Sequence, residues 1–242
     1  MLPHALFPVC VYLPPIVLKL PNKQGTSLPN LLPTHLAPKR MPDKATLRQQ
    51  MRHQLQAIPF AQRQTFSQQA AQHLAQWEAF THARGVCLYL STPNELDTTP
   101  IRTLCEASNK ALFCPWVKAP GQMELVALSA ETKLQPNRYG ILEPVHPQQV
   151  PFTNVDLILV PGLAFSADFY RLGHGGGYYD RFLPQWKAAW ENKGDSGKPA
   201  CIKPLPSVVG VGFELQVITS LPFLAHDVKM NVILTEKGIR VE

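Results

Sequence analysis

The sequence is short of charge, short of cysteine, and free of any stretch that reads as a membrane span. Charged residues make up 17% of its 242 positions and hydrophobic ones 45%, the balance of a soluble globular chain and not of a disordered one. Five cysteines, Cys10, Cys87, Cys105, Cys114 and Cys201, form no CxxC pair and no His/Cys ligand spacing. That argues against a zinc site and for reduced core thiols in a cytoplasmic protein. Acids are missing altogether from residues 1–40, where Lys19, Lys23, Lys39 and Arg40 supply four of the six net positive charges. The remainder carries too little for a nucleic-acid surface, and a small anion in a local basic pocket fits better. Eight of the 24 prolines fall in the same forty residues. At that density no regular helix forms, so the apolar segment over residues 9–20 is a poor membrane span. It lacks the basic n-region of a secretory signal as well. Residues 1–40 are expected to be a disordered Pro-rich extension or the product of an upstream start, with Met41 as the initiator.

From Asp43 onward the chain is patterned. Leu47, Met51, Leu55 and Ile58 fall at spacings of four, four and three, which makes one apolar helical stripe. Lys44 and Arg48 share one face of that helix, and spacing alone reads them as two solvated cations. After Pro59 a second helix with Phe66, Ala70, Leu74 and Trp77 on one side is expected to run to about Phe80. Strands are expected over residues 85–90, 111–117, 123–128, 155–160, 207–213 and 230–235, with helices through Ile101–Cys105 and over 178–192. Residues 193–206 form a polar excursion. This alternation, without internal repeats, predicts a single α/β domain over 41–242, a mostly parallel (Rossmann-like) sheet flanked by helices. Ligands belong at the carboxyl ends of such strands.

One such end carries the densest chemistry in the chain, Arg171-Leu172-Gly173-His174-Gly175-Gly176-Gly177-Tyr178-Tyr179-Asp180-Arg181. Four glycines in five positions let a backbone turn through positive φ and bring N–H groups close to an anion. A strand before the loop and a helix after it are the setting in which α/β proteins hold phosphates. Established nucleotide and nucleophile motifs do not fit. GxxxxGK[ST] is absent, GxGxxG fails at Tyr178, and there is no GxSxG elbow. Asp180 and Asp227 could together serve Mg²⁺, which nucleotide sites hold with one or two carboxylates plus phosphate oxygens. Singly, Asp180 reads equally as a helix cap and Asp227 as a turn residue.

Taken together, these residues resemble the 5-formyltetrahydrofolate cyclo-ligase family. Pro161-Gly162-Leu163-Ala164-Phe165 and the glycine loop carry most of the likeness. Lys44-x-x-x-Arg48, Glu95-Leu96-Asp97-Thr98, Tyr139-Gly140-Ile141-Leu142-Glu143-Pro144, Gln216 and His226-Asp227 add to it in the same order. The family pattern AFDxxGxRLG has Asp and Gly where this chain has Ser166 and Phe169. Gly176 follows the bacterial form of the loop.

The resemblance implies ATP-dependent conversion of 5-formyltetrahydrofolate to 5,10-methenyltetrahydrofolate, by phosphorylation of the formyl oxygen and ring closure by N10. It implies ATP binding by Lys44, Arg48 and the run Arg171, Leu172, Gly173, His174, Gly175, Gly176, Gly177, Tyr178 and Tyr179, with Arg171 and Tyr178 as catalytic residues. Mg²⁺ would be held by Asp180 and Asp227. The folate would meet Glu95 and His174–Tyr178, with Trp116, Gly140 and Glu143 lining the pterin pocket, although Trp116 reads equally well as a buried structural side chain. A monomer with small-molecule partners, and neither nucleic acid nor membrane, completes the expectation. Two other readings stay open. One is a phosphosugar isomerase or acyl-transferase relative of similar architecture, and the other is a non-catalytic nucleotide- or folate-binding paralogue.

Overall fold

A computed structural model describes residues 42–137, 140–192 and 206–242. The Pro-rich segment over 1–40 and all but the last residue of the 193–206 excursion lie outside them. Among the described residues seven strands form the main sheet. They are β1 (Gly85–Cys87), β2 (Ala111–Ala119), β3 (Gln122–Leu128), β4 (Leu157–Pro161), β5 (Ser207–Val211), β6 (Val232–Thr235) and β7 (Gly238–Val241), in the order β7-β6-β5-β4-β1-β2-β3. The five inner strands run parallel, and the two edge strands β3 and β7 fold back antiparallel through tight hairpins. Inner strands covered on both faces need continuous apolar runs. Leu157-Ile158-Leu159-Val160 is such a run and is buried throughout.

Helices close the two faces. On one lie α1 (Lys44–Gln56), α2 (Phe60–Ala75), α3 (Glu78–His82) and α4 (Thr99–Ala107), which bury Leu47, Met51, Leu55, Leu74, Phe80 and Ile101 in one apolar cluster. On the other, α5 (Tyr178–Glu191) buries Phe182, Leu183 and Trp186 against Ile158, Val160 and Val208. The first helix starts where its cap dictates, with the Asp43 carboxylate accepting the Thr46 N–H at 2.8 Å. The long helix expected after Pro59 is instead two, because Trp77 takes an extended conformation and packs inward before α3 begins. Cys87, Cys105 and Cys114 are buried and free, and burial pushes the Cys105 and Cys114 thiols up to about 12.

Two small sheets escaped the periodicity. Leu134–Pro136 pairs with Leu142–Pro144, and Ala164–Ser166 pairs with both Arg171–Leu172 and Val217–Ile218. The second matters more, because it forms the arm that carries the glycine loop. Strand order reverses between β1 and β4, and the segments leaving their carboxyl ends, 88–97 and 162–177, meet in the crevice that such a reversal opens.

Candidate active site

The loop between Arg171 and α5 turns through positive φ at Gly175 (+113°) and at Gly177 (+64°), the residue that caps α5. With no side chain capping it, the helix leaves its first N–H groups open toward the loop, the arrangement that receives anions. Asp180 is therefore not the cap. It lies in the first turn, where its carboxylate accepts hydrogen bonds from Arg171 Nη2 at 3.2 and 3.3 Å.

Arg171 itself is nearly enclosed. Its Nη1 donates to the Pro161 carbonyl at 3.3 Å, its guanidinium lies 5.2 Å from the Tyr179 ring centre, and its Nε is buried without a partner. Among the described residues it is the one buried side-chain polar atom left so. Buried donors are almost always satisfied, so an orphan at the base of a glycine loop is an exception that calls for a functional explanation. Gly173 leaves the guanidinium room, since a Cβ there would stand 2.5 Å from Nη1. Burial, followed by the nearby Cys87 thiol, raises the Tyr179 phenol well above its usual value, against the pull of Arg171. It stays protonated at neutral pH and can act as a donor.

The two cations of α1 are not solvated side chains. Lys44 Nζ reaches Asp227 Oδ2 at 2.5 Å, and Arg48 Nε donates to the Gly173 carbonyl at 2.9 Å. One turn further along, Arg52 reaches the His174 carbonyl at 3.4 Å. On the other side Arg181 Nη2 takes the Gly176 carbonyl at 2.7 Å. Three arginines thus hold three carbonyls of the loop. Asp227 also accepts the Leu224 N–H at 2.8 Å, as a turn residue would. Burial alone would raise its carboxyl, but the hydrogen bonds from Lys44 and Leu224 outweigh that and hold it below the usual carboxylate value.

Glu95 joins the group from the β1 side. Its Oε1 lies 3.7 Å from His174 Nε2, while Oε2 accepts the Thr92 N–H and hydroxyl at 2.8 and 3.0 Å. Tyr178 lines a cavity of about 340 Å³ with Met123, Val150, Phe152, Arg181 and Gln185. The remaining expected pocket residues stand apart. Trp116 packs half-buried against the larger apolar cluster, Gly140 is exposed at φ +76°, and Glu143 accepts a hydrogen bond from Asn137. No hydrogen bond or ion pair joins these three to the loop among the described residues. Gln216 is a brace, its amide clamping the Gly162 carbonyl at 2.6 Å and the Phe213 N–H at 2.6 Å.

The sequence profile of the 5-formyltetrahydrofolate cyclo-ligase family matches residues 40–236. The chain belongs to that family. Among cyclo-ligases, the Escherichia coli (strain K12) protein is 27% identical over 193 residues, covering 78% of this chain and 98% of that protein. The Mus musculus protein is 27% identical over 201 residues, 80% of this chain and 93% of its own. A mitochondrial cyclo-ligase of Arabidopsis thaliana is 29% identical over 180 residues, which is 66% of this chain and 62% of that longer protein. The solved structure of Aquifex aeolicus 5,10-methenyltetrahydrofolate synthetase superposes with a TM-score of 0.66 at 30% identity, covering 82% of this chain and 92% of the other. The sheet and its helices are thus those of cyclo-ligases.

Within that frame the departure at Phe169 becomes legible. It sits at φ +69°, a left-handed conformation that glycine adopts freely and an aromatic residue does not. Ser166 supplies the turn's closing bonds, its hydroxyl accepting the Tyr170 N–H at 3.1 Å and its carbonyl the Phe169 N–H at 2.9 Å. Phe169 packs its ring on the second apolar cluster and its carbonyl accepts the Met230 N–H at 2.9 Å. Arg52 and Arg181 were missed by sequence reasoning. For Arg52 the signal existed, a third cation at four-residue spacing after Lys44 and Arg48, but spacing cannot say that a face is docked.

Proposed function

We propose that ATP, as its magnesium complex, drives this chain's reaction at the glycine loop. The reaction class follows from family membership: a cyclo-ligase closes 5-formyltetrahydrofolate to 5,10-methenyltetrahydrofolate. The observation that carries the ATP reading is the buried, partnerless Nε of Arg171 at the base of a glycine-rich helix start. An N-formyl group is a poor electrophile whose oxygen leaves badly. Transfer of a phosphoryl group to that oxygen activates the carbon, N10 attacks, and phosphate departs as the ring closes. Little covalent work falls to the protein, so its task is positioning and charge neutralisation.

Arg171, Lys44, Arg48 and the backbone over Leu172–Tyr179 would take the phosphates. Asp180 and Asp227 are hard oxygen donors, the ligand type Mg²⁺ takes, and Mg²⁺ keeps waters and phosphate oxygens in its shell so that one or two carboxylates suffice. When bound, the ion would neutralise phosphate charge as it transfers. Each carboxylate now pairs with a cation of the same site, Asp180 with Arg171 and Asp227 with Lys44. Ligand binding would exchange these internal pairs for metal and phosphate. Glu95 and His174 would face the folate, and Tyr178 would stack on it or hydrogen-bond to it. Trp116, Gly140 and Glu143 would line the pterin pocket, although among the described residues no hydrogen bond ties them to the loop.

We propose further that the protein acts as a monomer on these small-molecule partners. No helix among the described residues is long and apolar enough to cross a membrane. The cytoplasmic location we propose rests instead on the scattered cysteines, of which Cys87, Cys105 and Cys114 are free thiols. Incubation with 5-formyltetrahydrofolate, ATP and Mg²⁺ tests the whole reading through the near-ultraviolet absorbance of the product. Omission of ATP or Mg²⁺ should abolish it. Arg171→Ala and Asp180→Ala should each reduce turnover at least about a hundredfold while the fold persists, since each removes a group aimed at transferring charge. Wild-type rates in both variants would sink the assignment.

A further inference from the structure

Arg181 lies at the surface, one turn into α5, where a solvated arginine would be unremarkable. Its guanidinium is nevertheless fixed on several sides. Nη2 donates to the Gly176 carbonyl at 2.7 Å and Nε to the Gly121 carbonyl at 3.0 Å, while the Tyr178 ring centre lies 5.6 Å from Cζ. The two glycines beside it leave it no spare room. A Cβ on Gly177 would stand 2.9 Å from Nη1 and one on Gly121 3.3 Å from Nη2, and both glycines are at positive φ. The arginine thus threads between the glycine loop and the turn that joins β2 to β3, and bonds a main-chain carbonyl in each.

In a trans peptide the C=O and N–H point in opposite directions. Drawing the Gly176 carbonyl toward Arg181 therefore turns the Gly177 N–H to the other side of the loop. There it has no partner among the described residues, as is true of the open first turn of α5. Arg48 and Arg52 fix the start of the loop from α1, and among the described residues Arg181 is the side chain that fixes its end. We infer that Arg181 is a positioning residue that presets the last peptide of the loop for a phosphate, using the β2–β3 turn as its anchor. The inference rests on the ATP reading of the loop. What matters is the planar fork, which bridges two carbonyls at once; a lysine carries the charge but cannot span them in fixed geometry.

The test compares Arg181→Ala and Arg181→Lys with wild type, measuring ADP affinity by calorimetry, KM for ATP and for 5-formyltetrahydrofolate, and Tm. Both variants should bind ADP about tenfold more weakly and raise KM for ATP in proportion, because each loses the bridging hydrogen bonds. KM for the folate should rise less than KM for ATP, since Arg181 touches the folate side only through the Tyr178 ring. Gly121→Ala, which crowds the same guanidinium from the anchor side, should shift ADP affinity in the same direction. Unchanged ADP affinity in Arg181→Ala overturns the inference, even with a lowered Tm. Full recovery in Arg181→Lys overturns it in favour of simple charge attraction, and a rise in the folate KM alone reassigns the residue. Failure of the wild-type enzyme to need ATP would instead overturn the function proposed above.

Discussion

Gly173 shows how much of this site turns on single atoms. A methyl group there would meet Arg171 Nη1 at 2.5 Å, and Nη1 is the end of a side chain that can move aside. The fold should therefore tolerate Gly173→Ala, but at the cost of the guanidinium's hold on Asp180 and the Pro161 carbonyl. We expect Tm within about 3 °C of wild type and kcat/KM for ATP reduced by about a hundredfold, measured by melting and by initial rates. A large drop in Tm with normal kinetics would show that the glycine serves packing alone. Residue types at this scale were readable in advance, because a glycine loop, an arginine and an acid are visible in any sequence. Engagement was not readable. Lys44 and Arg48 looked solvated from their spacing, and only the folded chain brings Asp227 and the Gly173 carbonyl to them across more than a hundred residues.

At the scale of elements, the arm that carries the loop is the part the sequence concealed. Its strands are two and three residues long, too short for any period to register, and they pair with Val217–Ile218 far along the chain. The helices were clearer, since α1, α4 and α5 follow their apolar stripes, but no stripe could foresee the break at Trp77. Phe169 is the arm's point of strain and can be probed directly. Phe169→Ala keeps the left-handed backbone and discards the ring that packs on the second apolar cluster. Phe169→Gly discards the same ring and relieves the backbone. Glycine usually destabilises relative to alanine by about 0.5–1 kcal/mol, yet here the left-handed penalty for a Cβ, about 1–2 kcal/mol, acts the other way. The glycine variant should thus be the more stable of the two by about 1 kcal/mol, read from denaturant midpoints. Alanine equal to or above glycine would mean that the arm relaxes and holds no strain.

Across the whole molecule, the parallel centre was legible because strands buried on both faces must be written as unbroken apolar runs, whereas the edges were not. The last strand, β7, is four residues with a half-exposed pattern, indistinguishable in sequence from a tail. What fastens that edge is electrostatic. Glu214, just after β5, accepts from Arg240 on β7 at 2.5 and 2.9 Å and from the Thr235 hydroxyl at the end of β6 at 2.8 Å. The bonds from Arg240 chiefly, opposed by burial and helped by Thr235, hold the Glu214 carboxyl below its usual value. A carboxylate depressed in the folded state stabilises at pH above the unfolded value and loses that contribution as pH falls through the folded one. Both partners are partly exposed, which limits the forked pair to about 1 kcal/mol. Glu214→Gln should therefore lower Tm by about 2–4 °C at neutral pH for a domain of this size. The gap should hold at pH above the ordinary carboxylate range of about 4–5, then shrink as pH falls below it and close only once wild type protonates the same group at its depressed folded value. A gap that persists unchanged into acid would show that the pair's geometry, and not its charge, secures the edge.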